Sequence, residues 1–428
     1  MKTCPKCGLK IDNDNAKYCY ECGEKLSSGV QTIKDGKLTL YTGDEETLTI
    51  SNEVKEITRG AINNEKIRRI IISSSVEKIN AGGFQIARDN CSYTYFGCIN
   101  NEEFIVDENN PNYKSIDGNL YNKDGTVLLQ YAAGKKDEVF VVPEGVEEFQ
   151  GAVFFGCLNL KKVILPSSFG SDEFLFFMPD QKIEIEISEE NPNFKVIDNN
   201  VYSKDESVLV LYDNNKEEST FILRDSVKEI DNCAFIGANN LKRVIMSNNV
   251  TYIGESAFES CVELEQIVLS NNIKEIGTSA FSTCELLDNI LLPSSLNEIP
   301  SFAFEMSGLS EVFIPSSIKR IGDFAFNYCE YITKLFIPSN VEEIGANAFS
   351  ECYNLKEVIL VEGLKIIKEG AFAETKIEEI KIPNSVKEIG QGIFDGCNEL
   401  KIIYSNKNFD NFPKGIEVRK YEKGLLRN

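Results

Sequence analysis

From residue 235 onward a two-residue unit, Ala-Phe, returns every 22 or 23 positions, and this period constrains the fold more than any other feature of the chain. The phenylalanines are Phe235, Phe258, Phe281, Phe304, Phe326, Phe349, Phe372 and Phe394. Ala234, Ala257, Ala280, Ala303, Ala325, Ala348 and Ala371 precede them, with Ile393 in the last copy. Eight anchors in phase mean one structural unit repeated. A unit this short cannot bury its apolar face alone, so adjacent copies must cover one another in a solenoid.

A second signature follows each anchor by five or six residues. It reads L-x-x-V-x-I-P in idealised form, as in Leu287-Asp288-Asn289-Ile290-Leu291-Leu292-Pro293 and Leu309-Ser310-Glu311-Val312-Phe313-Ile314-Pro315. Alternating apolar residues predict a short strand, which the proline ends because it has no N–H for a sheet ladder. A second short element, such as Val341-Glu342-Glu343-Ile344-Gly345, leads into the next Ala-Phe. Upstream the same grammar is interrupted. Ile67 to Ile72 with Val76 to Ile79 and Phe84 predicts one coil, and Phe154 to Pro166 another. Between them, Asn110-Pro111-Asn112-Tyr113 to Leu120-Tyr121 matches Asn191-Pro192-Asn193-Phe194 to Val201-Tyr202 at an offset of 81 residues. These two insertions are copies of one module, expected as small hairpins projecting from the solenoid.

Residues 1–26 follow different rules. Cys4-Pro5-Lys6-Cys7-Gly8 and Cys19-Tyr20-Glu21-Cys22-Gly23 are two C-x-x-C-G knuckles, with 11 residues between Cys7 and Cys19. In each, a tight turn aims two sulfurs at one point, and together Cys4, Cys7, Cys19 and Cys22 make a tetrahedral four-thiolate set suited to one structural Zn2+. Only Leu9, Ile11, Tyr18 and Leu26 are available for a core. Zinc, worth about 10–16 kcal/mol in such peptides, would have to replace it. Four protein ligands leave no open position for a catalytic water. Unconnected redox C-x-x-C pairs and a rubredoxin-like iron site are the other readings of the same cysteines. The segment resembles the short zinc-ribbon family that heads many bacterial multidomain proteins.

The predicted layout is therefore a zinc ribbon over 1–26, a linker over 27–37 opened by Ser27-Ser28-Gly29, and a solenoid over 38–428. Within the solenoid, 38–230 holds irregular coils and the two insertions, 231–404 regular coils, and 405–428 a C-terminal cap.

The repeat residues resemble the BspA-type leucine-rich repeat family, whose consensus combines L-x-x-V-x-I-P, V-x-x-I-G and a terminal A-F followed three positions on by Cys or another small residue. The resemblance spans about residues 50–405 and implies a β-rich repeat solenoid of 22–23-residue coils. It implies adhesion or protein binding, commonly on microbial surfaces, and brings no catalytic residues.

Composition narrows function mainly by exclusion. The chain has no His, so imidazole acid/base chemistry, His-based nucleophile systems and His metal ligands are ruled out. Its formal charge of −22 disfavours nucleic acid and anionic membrane as partners. No segment approaches the roughly 20 apolar residues of a membrane span, and no apolar core follows Met1-Lys2-Thr3-Cys4-Pro5. A cytoplasmic protein is expected. Neither a nucleotide loop nor a nucleophile and base pair is visible, and the expectation is a non-enzymatic scaffold or adaptor that binds proteins. The alternative is a surface adhesin exported by an unrecognised route.

In L-x-x-V-x-I the first, fourth and sixth positions face the core and the fifth points outward. Along the array that fifth position holds Ile245, Val268, Leu291, Phe313, Phe336 and Ile359, then Lys381 and Tyr404. An exposed apolar stripe would mark a protein-binding face, with self-association through it left open. The alternative is that these β-formers pack on one another or lie under loops. Cysteines recur three places after the anchor at Cys157, Cys261, Cys284, Cys329, Cys352 and Cys397. Neighbours there should stack within disulfide reach, although a small buried filler is the ordinary role of such a residue.

Overall fold

In the computed structural model the described residues are 29–421 except 81, 88–94, 152 and 172–181, together with 2–3, 7, 9–11, 21 and 22. The chain divides into two units, Met1–Asn193 and Phe194–Asn428.

In the second unit the predicted coils are present. Phe235 and Phe258 stack with ring centroids 4.5 Å apart, Phe258 and Phe281 at 5.3 Å, and Phe281 and Phe304 at 5.5 Å. The column continues through Phe326, Phe349, Phe372 and Phe394. At this corner the N–H groups of Phe235 to Phe349 donate to the alanine carbonyl of the next coil, as from Phe258 to Ala280 and Phe304 to Ala325, both at 2.8 Å, and Phe372 donates to Ile393 at 3.0 Å. The core leucines, isoleucines and valines of successive coils merge into one buried cluster from Tyr202 to Ile403.

The two short elements of each coil add parallel to their counterparts in neighbouring coils. Arg243–Ile245 pairs with Gln266–Val268 on one side, and Glu229–Ile230, Tyr252–Ile253 and Glu275–Ile276 form a ladder on the other. The glycine that closes V-x-x-I-G has a steric reason. A Cβ at Gly254 or Gly345 would lie 2.5 Å from the backbone of the preceding coil. Side chains are excluded where coils approach that closely.

The first unit is built on the same plan around its own core, from Leu38 to Ala132. Parallel ladders join Thr47–Thr49, Arg69–Ile72 and Glu103–Val106, and further on Val139–Val141, Lys162–Leu165 and Glu184–Ile187.

The insertions are not projecting hairpins, and here the expectation is corrected. Tyr113–Ile116, Asn119–Asn122 and Val127–Gln130 form an antiparallel meander whose last strand pairs parallel with Glu148–Phe149. Phe194–Ile197, Asn200–Ser203 and Val208–Leu211 do the same onto Glu229–Ile230. The modules are strands of the sheet, with Leu120, Tyr121, Val201 and Tyr202 buried beneath them.

A third hairpin of this kind begins the array. Val30–Lys34, read from sequence as linker, pairs antiparallel with Lys37–Thr42, which continues parallel to Glu56–Ile57. All three carry a register shift at the same place, between Thr32 and Ile33, Leu120 and Tyr121, and Val201 and Tyr202. The two-residue turn Asp117-Gly118 has φ of 47° and 71°, as the mirror-image turns that match strand twist require.

Candidate protein-binding face

The fifth-position residues come together on one face of the second unit. Ile245 and Val268 are register partners, as are Phe336 and Ile359. The face is open: Val268 is 40% exposed, Leu291 77%, Phe313 70% and Phe336 51%, while Ile245 and Ile359 are partly covered. Among the described residues neither loops nor the insertions lie over the central four residues. Leu291 and Phe313 differ from the expectation in one respect, since their segments are not strands.

Sequence reasoning missed the first member. Ile222, 65% exposed, pairs in register with Ile245 and extends the stripe by one coil. Its coil follows an insertion and lacks the opening leucine, so only the alternation Phe221, Ile222, Leu223 could have revealed it. The stripe ends in polar residues. Lys381 pairs with Tyr404, Tyr404 with Arg419, and the Lys381 ammonium lies 4.1 Å from the Tyr421 ring centroid.

Beside the stripe on the same face runs a mixed column of Arg243, Gln266, Asn289, Glu311, Lys334 and Glu357, in which Lys334 and Glu357 form an ion pair at 2.9 Å. Two cations balance two carboxylates, so this face is nearly neutral on a chain whose formal charge is −22.

The repeated cysteines are buried and serve a structural hydrogen bond. In the second unit each thiol reaches back to a phenylalanine carbonyl of the preceding coil: Cys261 to Phe235 at 3.0 Å, Cys284 to Phe258 at 3.2 Å, Cys329 to Phe304 at 3.0 Å, Cys352 to Phe326 at 3.2 Å and Cys397 to Phe372 at 3.1 Å, whereas Cys157 in the first unit lies 3.9 Å from the Phe155 carbonyl of its own coil. None of them forms a disulfide. Burial pushes the Cys261 and Cys329 thiols up from 9.0 to about 12. Native protein at pH 8 is therefore expected to react with a thiol reagent at none of these five positions within minutes, whereas unfolded protein reacts at all of them. Rapid labelling of several would contradict the arrangement. The linkage sign follows: a thiol whose folded value is raised stabilises the fold fully below pH 9, and that contribution fades as pH climbs from about 9 toward 12.

At the N-terminus, Lys2–Thr3 pairs antiparallel with Lys10–Ile11, so a two-stranded ladder brackets the first knuckle. Cys7 is exposed and Cys22 partly buried. Cys4 and Cys19 lie outside the described residues. Among the described residues no group of three or more acidic or thiol side chains is placed to hold a metal. No helix among them is long and apolar enough to cross a membrane.

Parallel coils of 22–23 residues stacked on an aromatic corner define a leucine-rich repeat solenoid. The BspA type Leucine rich repeat region matches residues 24–91, 133–216, 210–333 and 319–416, and the chain belongs to that family. No curated protein matches it. Among solved structures it is similar to a leucine-rich repeat protein from Eubacterium ventriosum, at 18% identity over 90% of this chain and 95% of that one, with a TM-score of 0.48. A leucine rich cell surface protein from Faecalibacterium prausnitzii is 21% identical over 77% of this chain and 92% of its own, at 0.41. The leucine-rich repeat protein of T. pallidum is 26% identical over 47% and 86%, at 0.32.

Proposed function

We propose that this chain is a non-enzymatic scaffold that binds another protein through the apolar stripe of its second unit. The observation that carries this reading is the run of apolar side chains from Ile222 to Phe336, open at every member but Ile245, beside a charge-balanced column. Exposed hydrophobic surface of this extent is costly to a lone chain and useful to a complex. Each of Leu291, Phe313 and Phe336 would contribute on the order of 1.5–3 kcal/mol if a partner covered it fully. Phe313→Ser with Phe336→Ser is expected to cut the yield of proteins captured on full-length bait at least about tenfold, because losing even a few kcal/mol at an interface centre has that effect. Capture at wild-type levels would remove the stripe from consideration.

The N-terminal knuckles are proposed as a zinc ribbon serving as a second docking module. Cys4, Cys7, Cys19 and Cys22 would hold one Zn2+, which when bound supplies the cross-link that so short a segment lacks. The donor set fits, being four thiols with no competing imidazole in the chain. Metal analysis of the purified full chain should find one zinc per chain, falling to none in Cys7→Ser/Cys22→Ser while the thermal transition of the array is unchanged. Iron, or retained zinc in the double variant, would refute the assignment.

The proposed location is the cytoplasm, where thiolate ligands and the array's reduced thiols are both maintained. A tagged copy recovered at the cell surface would replace this with the adhesin reading.

A further inference from the structure

Both ladders of the second unit stop at one junction between coils. On one side, the sheet that starts at Phe194–Ile197 runs to Glu275–Ile276, and pairing begins again only from Glu298–Ile299, which continues to Glu388–Ile389. On the apolar face the ladder of Thr220–Ile222, Arg243–Ile245 and Gln266–Val268 also stops, and strand pairing resumes at Lys334–Ile337. Among the described residues, backbone hydrogen bonds between coil 254–276 and coil 277–299 survive only at the phenylalanine corner. There Ser256, Phe258 and Ser260 N–H groups donate to Thr278, Ala280 and Ser282 at 2.9, 2.8 and 2.9 Å. Side chains add two links, Cys284 Sγ to Phe258 O at 3.2 Å and the Ser295 hydroxyl to the Asn271 and Ile273 carbonyls.

Pro300 removes one bond of the ladder between Glu275–Ile276 and Glu298–Ile299. In other coils the residue at this position donates to an isoleucine carbonyl of the preceding coil: Gly254 to Ile230 and Gly277 to Ile253 at 2.8 Å, Gly322 to Ile299 at 2.8 Å, Gly345 to Ile321 at 2.9 Å and Gly390 to Ile367 at 2.7 Å. Proline has no N–H to give, so Ile276 receives nothing. Bulk is the lesser cause, because Lys368 occupies the same position with a full side chain and still donates to Ile344 at 2.9 Å.

We propose that this junction is a joint built into the array. Coils 254–276 and 277–299 hinge about the stacked corner of Phe258 and Phe281, and the motion changes the step between Val268 and Leu291 on the apolar face. Local opening is cheapest where the backbones of two coils are joined only at the phenylalanine corner. A protein seated across both coils would favour one setting of the joint, so binding and opening would be coupled. That coupling rests on the proposed function, whereas the joint itself does not.

Hydrogen exchange on the full chain tests the joint without any partner. Peptides covering 288–299 are expected to exchange on the order of tenfold or more faster than those covering 265–276 and 334–345, with the corner 278–284 remaining slow. Pro300→Gly and Pro300→Ala each return a donor, and both should slow exchange at 297–299 toward the neighbouring coils. Equal protection in all three coils of the wild-type chain would overturn the proposal. So would unchanged exchange at 297–299 in both variants when their circular dichroism matches wild type.

Discussion

Phe281→Ala will lower the stability of the array by about 3–5 kcal/mol, read as a shift of the urea midpoint, whereas Phe313→Ala will change it by less than about 0.5 kcal/mol. Both residues are phenylalanines of adjacent coils, and their surroundings decide the difference. Phe281 is fully buried between Phe258 and Phe304, with ring planes within 8° and 4° of theirs. Truncation leaves a cavity that neither neighbour can fill without leaving its own stack. Phe313 is 70% exposed and has little to lose. A solenoid transmits such a defect only through adjacent coils, so exchange protection should fall most in the coils on either side of 281. Equal effects at the two positions would mean that the corner column is not the core of the repeat.

Asn110→Ala is the second large loss, expected at about 3–5 kcal/mol although only a small polar group is removed. The Asn110 side chain is fully buried at the entry of the first inserted module. Its amide donates to the Ser73 and Val76 carbonyls at 2.8 and 3.0 Å, and its oxygen accepts from the Asn112 and Tyr113 N–H groups at 2.9 Å each. Alanine would leave the buried Val76 carbonyl without a partner, the Ser73 carbonyl with only the Val76 N–H at 3.3 Å, and the Asn112 and Tyr113 N–H groups without the oxygen that holds the turn. Asn191 repeats the device in the second copy, donating to Pro166 and Phe169 carbonyls at 3.0 and 2.8 Å. Asn110→Asp separates the two halves of this role, since it keeps the acceptor and removes the donor. Thermal unfolding of the three proteins should rank wild type above Asn110→Asp and Asn110→Asp above Asn110→Ala. A variant Asn110→Ala that melts with wild type would show that the hook is dispensable.

The regular coils were legible because their constraint is local. Ala234-Phe235 through Ile393-Phe394 recur at a fixed spacing, and one buried ring per coil is enough to set the register. The paired insertions were visible as copies, but their destination was not. A hairpin signal such as Asp117-Gly118 specifies a turn and says nothing about which neighbour receives the outer strand. Val30–Lys34 was missed for a related reason, because Ser27-Ser28-Gly29 reads as a joint and the strand after it has few fully apolar residues. On the candidate face, alternation identified which residues point outward from the sheet. Whether anything covered them was a tertiary question, answered by the exposure of Leu291 and Phe313. Pro300 was readable as a proline and as nothing more, since its consequence depends on the carbonyl of Ile276 in the coil before it.

Photo-crosslinking from the stripe itself tests the central claim most directly. A benzoylphenylalanine placed at Phe313, and separately at Tyr331, which is 61% exposed and lies outside the stripe, would be irradiated in the full chain in its native extract. The account predicts a discrete protein adduct from position 313 that disappears when Phe336→Ser is added, and none from position 331. Adducts from 331 with none from 313 would contradict it.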